Sequence, residues 1–104
     1  MKSIINGKKY DTDSAELLGT YHNGLPQSDF DYYSVSLYRT KRSQQYFSAG
    51  EGGARTSYSQ RYGNMYGAGE RIDVLTKEEA LSWAEEHLTS DEVEAAFPDD
   101  IEEA

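Results

Sequence analysis

The chain has 104 residues, a formal net charge of −9 and no cysteine. A chain of this length makes one domain, and without thiols it has neither disulfides nor a thiolate metal site, which fits a reducing cytosol. The negative charge disfavours anionic membranes and direct nucleic-acid binding, and favours a basic partner.

Ser3-Ile-Ile-Asn-Gly-Lys-Lys-Tyr10 predicts a hairpin, because Asn6-Gly7 is a strong two-residue turn signal. Asp11-Thr-Asp-Ser14 offers N-caps for a short helix over Ser14 to Leu18, ended by Gly19. Thr20 to Asp29 reads as a polar loop, or a short strand with a loop. Tyr32 to Arg39 alternates cleanly and is the best strand signal in the chain. Thr40 to Ser43 is a polar turn, and Gln44 to Ala49 returns as the antiparallel partner. Gly50 to Gly69 holds six glycines and reads as a long, partly ordered loop with a short strand near Thr56–Gln60. Arg71 to Leu75 is a final strand.

Thr76-Lys-Glu-Glu79 is a capping box, and the helix it opens runs to about Leu88. Lys77, Ala80, Leu81, Ala84, His87 and Leu88 share one sector of that helix, with Trp83 on its flank. Glu78, Glu79, Ser82, Glu85 and Glu86 share the opposite sector. Thr89-Ser-Asp-Glu92 can cap a second short helix ending near Phe97-Pro98. The fold class expected is α+β: a small antiparallel sheet, a short N-terminal helix and two C-terminal acidic helices. Residues 1–97 form the domain, with 98–104 as a frayed acidic tail. The core is expected from the aromatics and from Leu17, Leu18, Val35, Leu37, Ile72, Val74, Leu75, Leu81, Leu88, Val93 and Phe97. The N-terminus lacks the apolar core of a signal peptide, and no apolar run approaches the roughly 20 residues that span a bilayer.

Charge is divided unevenly. From Arg71 onward there are 12 acidic and 2 basic residues, a net of −10; residues 1–70 carry 8 basic and 7 acidic, a net of +1. Carboxylates at Glu78, Glu85, Glu86, Asp91, Glu92 and Glu94 can form an acidic surface. On the first helix they recur about 10 Å apart at 1.5 Å per residue. Rows of acids on a rigid surface can imitate duplex phosphates and occupy the basic channel of a nucleic-acid-binding protein. The plainer reading is a solvated helix face.

A second constellation is basic. Arg39, Lys41, Arg42 and Arg55, with Tyr38 and Tyr58 among them, could take phosphates and stack on bases of RNA or single-stranded DNA. The plainer reading is a basic hairpin turn beside core and surface tyrosines. Gly50-Glu-Gly-Gly53 lacks the lysine and hydroxyl that end a phosphate-binding loop, and reads as a flexible connection. Asp99, Asp100, Glu102 and Glu103 lack the spacing of a calcium loop. The two histidines, His22 and His87, make no metal motif, and no nucleophile elbow is present. The expectation is a non-enzymatic protein with no cofactor and no metal. Nine tyrosines suit an interface and leave a homodimer open.

Ile4-Ile-Asn-Gly-Lys-Lys-Tyr-Asp-Thr12, Leu37-Tyr-Arg-Thr-Lys41, Gly50-Glu-Gly-Gly53 and Val74-Leu-Thr-Lys-Glu-Glu-Ala80 with Trp83-Ala-Glu85 resemble blocks of a protein family. Its members are small proteins of phages, plasmids and conjugative elements of Firmicutes and relatives. The resemblance spans about Ile4 to Phe97, and this chain departs from the family pattern by being more basic at Arg55. Some small acidic proteins of this setting are anti-CRISPR proteins, including Cas9 inhibitors. The resemblance implies a mobile-element anti-defence protein acting in the cytoplasm of a bacterial host. Its partner would be a CRISPR effector, either Cas9 or a multisubunit complex. It carries over no catalytic residues. The alternative function is an RNA-contacting module that interferes with guide loading through the basic residues.

Overall fold

Alternation in Tyr33–Arg39 sets the centre of the structure. Successive side chains of a strand point to opposite faces, so this segment presents Val35 and Leu37 to one side and Ser36 and Tyr38 to the other. The computed structural model describes residues 1–104. Its elements are β1 (Lys2–Ile5), β2 (Lys8–Asp11), β3 (Glu16–His22), β4 (Tyr33–Arg39) and β5 (Tyr46–Gly52). Then come β6 (Gln60–Tyr62), β7 (Met65–Gly67), β8 (Gly69–Leu75), α1 (Lys77–His87) and α2 (Ser90–Ala96), with a 3₁₀ turn at Pro98–Asp100. Strands β3, β4, β5 and β8 form a four-stranded antiparallel sheet in that order, and β1–β2 and β6–β7 are separate hairpins. The fold is α+β.

Both faces of the sheet are covered, by different things. On one face Leu37 meets Ala80, Ala84, Val93, Ala96 and Phe97 of the helical segment. The two alanines let α1 lie close to the strands. On the other face Phe47, Ala49 and Ile72 meet Tyr10 of the β1–β2 hairpin. Tyr38 stacks on Phe47 at 5.2 Å, and Tyr10 meets the same ring edge-on at 5.5 Å. The result is three layers: hairpin, sheet, helices. Leu17 is 55% exposed and Val74 40% exposed, so neither joins the core as expected. Both point to the hairpin side, which a two-stranded ribbon covers only in part.

The N-terminal helix is absent, and its place is taken by β3. The cap signal is real but serves one turn: Asp11 Oδ1 accepts from the Asp13 amide at 3.0 Å, and the Asp11 carbonyl accepts from Ala15 at 3.0 Å. Glu16 onward then pairs with β4 instead of continuing the helix. A register shift between Leu17 and Gly19 disturbs the alternation that marks a strand in sequence. At Gly19 an added Cβ would lie 2.6 Å from Leu88, so glycine lets the chain leaving α1 pack on this strand.

The Gly50–Gly69 segment is also more ordered than its glycines suggest. Strand β5 continues through Gly52, and Gln60–Tyr62 and Met65–Gly67 form a hairpin around Gly63-Asn64. Gly63 has φ +62°, as the first position of a Gly-led hairpin turn requires. An added Cβ at Gly53 would lie 2.6 Å from the carbonyl oxygens of both Asp29 and Phe30. Glycine there permits two backbones to touch, so Gly50–Gly53 is neither a phosphate cradle nor a slack connection. The first hairpin agrees with its sequence signal: Asn6 and Gly7 both have positive φ, at 52° and 77°.

Candidate functional site

Two capping boxes fix the acidic helices. At α1 the Thr76 hydroxyl accepts from the Glu79 amide at 3.1 Å, and Glu79 accepts from the Thr76 amide at 2.9 Å. At α2 the Thr89 hydroxyl accepts from the Glu92 amide at 3.2 Å, and Glu92 accepts from the Thr89 amide at 3.1 Å. Glu79 and Glu92 are therefore committed to capping, and Glu92 is half-buried. Glu78, Glu85, Glu86, Asp91 and Glu94 are exposed, and none pairs with a lysine or arginine. The nearest cationic candidate is His87, whose Nε2 lies 3.9 Å from Glu86.

Helix electrostatics divide these acids into two groups. Glu78 and Asp91 sit in first turns, where a negative charge favours the helix. Glu85 and Glu86 sit in the last turn of α1, where it does the opposite. His87 is the only basic residue there. The plain account of an acidic helix, that its carboxylates steady the N-terminus, covers the first pair and fails for the second.

A groove of about 400 Å³ borders this surface. Trp83 comes from α1, Tyr33 and Val35 from β4, and Tyr58 from the segment before β6, with Asp31 and Arg55 at the rim. His87 links it to β3, its ring 5.0 Å from Trp83 and 4.6 Å from Tyr21. Tyr58 lies over Gly50 and carries the Arg71 guanidinium 4.7 Å from its ring centre. Burial pushes the Tyr33 hydroxyl pKa up, and Tyr21 and Glu86 add to the shift. Burial likewise raises that of Tyr58, against the opposing charge of Arg71. The sequence signals for this groove were faint: Trp83 lay only on the flank of the apolar stripe.

The basic constellation does not assemble as one surface. Arg39 faces the helices, giving one hydrogen bond to Glu16 at 2.6 Å and one to the Ala96 carbonyl at 3.0 Å. Arg55 pairs with Asp31 at 2.9 Å, next to Phe30. Tyr38 is on the hairpin side against Phe47, and Tyr58 lines the groove near Trp83. Lys41 and Arg42 remain exposed in the turn between β4 and β5. Lys8 and Lys9, outside that constellation, line the same cleft as these two.

In the tail, Lys77 Nζ meets Asp100 Oδ1 at 3.0 Å, and this contact raises the Lys77 pKa. Residues 101–104 are exposed and outside regular structure. No group of three or more His, Asp or Glu side chains converges as metal ligands. No helix is long and apolar enough to cross a membrane. Against known protein families, curated proteins and solved structures, the chain finds no match.

Proposed function

We propose that the chain is a mobile-element anti-defence protein that blocks the nucleic-acid channel of a CRISPR effector with the exposed face of α1 and α2. The face offers Glu78, Glu85, Glu86, Asp91 and Glu94 to the lysines and arginines that line such a channel. Glu92 contributes through the cap that orients α2. Inhibition is stoichiometric: the protein occupies a site and turns nothing over. Action is in the cytoplasm of the bacterial host, where the effector works.

The observation that carries this reading is the pair Glu85 and Glu86. They are exposed, have no Lys or Arg partner, and lie at the helix end that disfavours them. A sequence free to optimise α1 alone would place lysine or arginine there. Keeping acids at a cost to the helix points to a partner that uses them. Preorganisation supports it too: two capping boxes and the buried Ala80, Ala84, Val93 and Ala96 hold the carboxylates on a rigid base.

Co-elution with a reconstituted Cas9–guide complex tests the reading, at low and high salt and with or without target DNA. Expected is binding that weakens with salt and is displaced by DNA. Glu85→Lys, Glu86→Lys and Glu94→Lys together should abolish inhibition while the circular dichroism spectrum is kept. Full potency in that folded triple variant rejects the mimic. Failure to bind Cas9 moves the same test to multisubunit CRISPR complexes.

A further inference from the structure

We infer that the cleft between the β1–β2 hairpin and the β4–β5 turn binds the phosphodiester backbone of a nucleic acid. It is a second site, on the hairpin side of the sheet, and does not rest on the role assigned to the acidic helices. The cleft has a volume of about 630 Å³, and Lys8, Lys9, Lys41 and Arg42 all line it. They come from two turns more than thirty residues apart in sequence, so only the fold brings them together.

Pairing is the first argument. The chain has ten lysines and arginines among nineteen acids. Arg39, Arg55, Arg71 and Lys77 each pair with a carboxylate. None of the four cations at the cleft does. In a protein of net charge −9, four unpaired cations around one concavity are the exception to the overall field. Their mutual repulsion is a cost that an anion would relieve. A concave, low-dielectric wall focuses such a field outward.

Preorganisation is the second argument. The turn that presents Lys41 and Arg42 is braced from within. Thr40 and Ser43 share a hydroxyl hydrogen bond of 3.1 Å, and the Thr40 hydroxyl also accepts from the Gln45 amide at 2.9 Å. The Thr40 amide donates to the Gln45 carbonyl at 2.8 Å, closing the loop, and Gln44 takes φ +55° to allow it. Lys8 and Lys9 follow an Asn6-Gly7 turn whose two positive φ values fix the hairpin. The one carboxylate in the cleft, Asp11, accepts a hydrogen bond from the Asp13 amide.

Recognition is of phosphates, not bases. The aromatic ring in the cleft, Tyr10, is 4% exposed and packed against Phe47, so no ring is free to stack on a base. Contacts from lysine and arginine to phosphate carry no sequence information. A nucleic acid also fits better than an anionic membrane. A flexible single strand can follow a concavity. A bilayer surface is flat, and the cleft offers no exposed large apolar side chain to insert.

The test is fluorescence anisotropy with the full chain and a labelled oligouridine of roughly 12 nucleotides. Four phosphate contacts predict a slope of log K against log salt of about −3, so affinity falls about sixty-fold between about 50 and 200 mM salt. Lys41→Glu with Arg42→Glu should remove the binding at about 50 mM salt, and Lys8→Glu with Lys9→Glu should do the same. Arg61→Glu, an exposed cation elsewhere, should leave it unchanged. Duplex RNA and duplex DNA as competitors show which backbone the cleft takes, and displacement by either supports the site. Absence of oligouridine and duplex binding at about 20 mM salt overturns it. So does binding unaltered in both double variants with native circular dichroism, or binding to phosphatidylserine vesicles without binding to any oligonucleotide.

Discussion

Arg39 in β4 donates through Nη1 to the carbonyl of Ala96, the last residue of α2, at 3.0 Å. The same guanidinium donates through Nη2 to Glu16 in β3 at 2.6 Å. One side chain thus joins two strands to the end of a helix. It satisfies a carbonyl that has no partner within the helix. Arg39→Met should cost about 1–3 kcal/mol, since a partly buried charge-assisted bond and a cap are lost together. Arg39→Lys should recover part of this, because an ammonium cannot serve both acceptors in the planar geometry of the fork. Urea unfolding checks both; a methionine variant as stable as the parent would show that water replaces the contact freely.

Phe97 closes the helical segment onto the sheet. Its ring stacks on Tyr46 at 5.4 Å and it is 1% exposed. Phe97→Ala should cost about 3–5 kcal/mol, the range for a large buried aromatic. Deleting residues 101–104 should change stability by less than about 0.5 kcal/mol, as exposed positions without packing usually do. The contrast places the end of the cooperative unit between Phe97 and Ile101. Thermal melts of the two variants measure it, and similar losses in both would move that boundary outward.

At the other end of the electrostatic scale are Glu85 and Glu86. Replacing both with lysine should leave stability unchanged or raise it by about 0.3–1 kcal/mol per site, because cations suit a helix C-terminus. The channel block proposed above predicts that inhibition falls at the same time. Stability and activity moving in opposite directions is the mark of residues kept for a partner. A double lysine variant that loses both would assign the two glutamates to the fold instead.

Sequence was most informative where one local signal decided the outcome. Asn6-Gly7, the alternation of Tyr33–Arg39, and the threonine–glutamate spacing of both helices each specify their structure without long-range help. It was least informative where tertiary contacts outweighed a local preference. Asp11–Ser14 caps a single turn, yet pairing with β4 converts Glu16–His22 to strand. The glycines at 50, 52 and 53 suggested slack chain, but they are places where the Tyr58 ring, the Thr56 hydroxyl and the Asp29–Phe30 backbone come too close for a Cβ. The exposure of Glu78, Glu85 and Glu86 was legible because helical spacing alone puts them on the side of α1 opposite its buried alanines. The Tyr33–Tyr58–Trp83 groove and the Lys8–Lys41 cleft were not, since each joins residues that only the sheet order brings near.

Tyr32 links stability to alkaline pH. Its ring is buried and its hydroxyl donates to Glu51 Oε1 at 2.9 Å. Burial, then the bond to Glu51, raises its pKa above the ordinary value. The neutral form is the one the fold favours. Below the unfolded value of about 10 that contribution is fully present. As pH rises past it, the unfolded chain releases the proton first, and stability falls until the folded value is reached. Tyr33 and Tyr58 shift in the same direction and add to the slope. Tyr32→Phe should cost about 0.5–1.5 kcal/mol near pH 7 from the lost hydrogen bond, and should flatten the decline above about pH 10. Urea midpoints at about pH 8, 9.5 and 10.5 separate the two effects. Parallel curves for the parent and the phenylalanine variant would assign the alkaline loss to Tyr33, Tyr58 and Lys77.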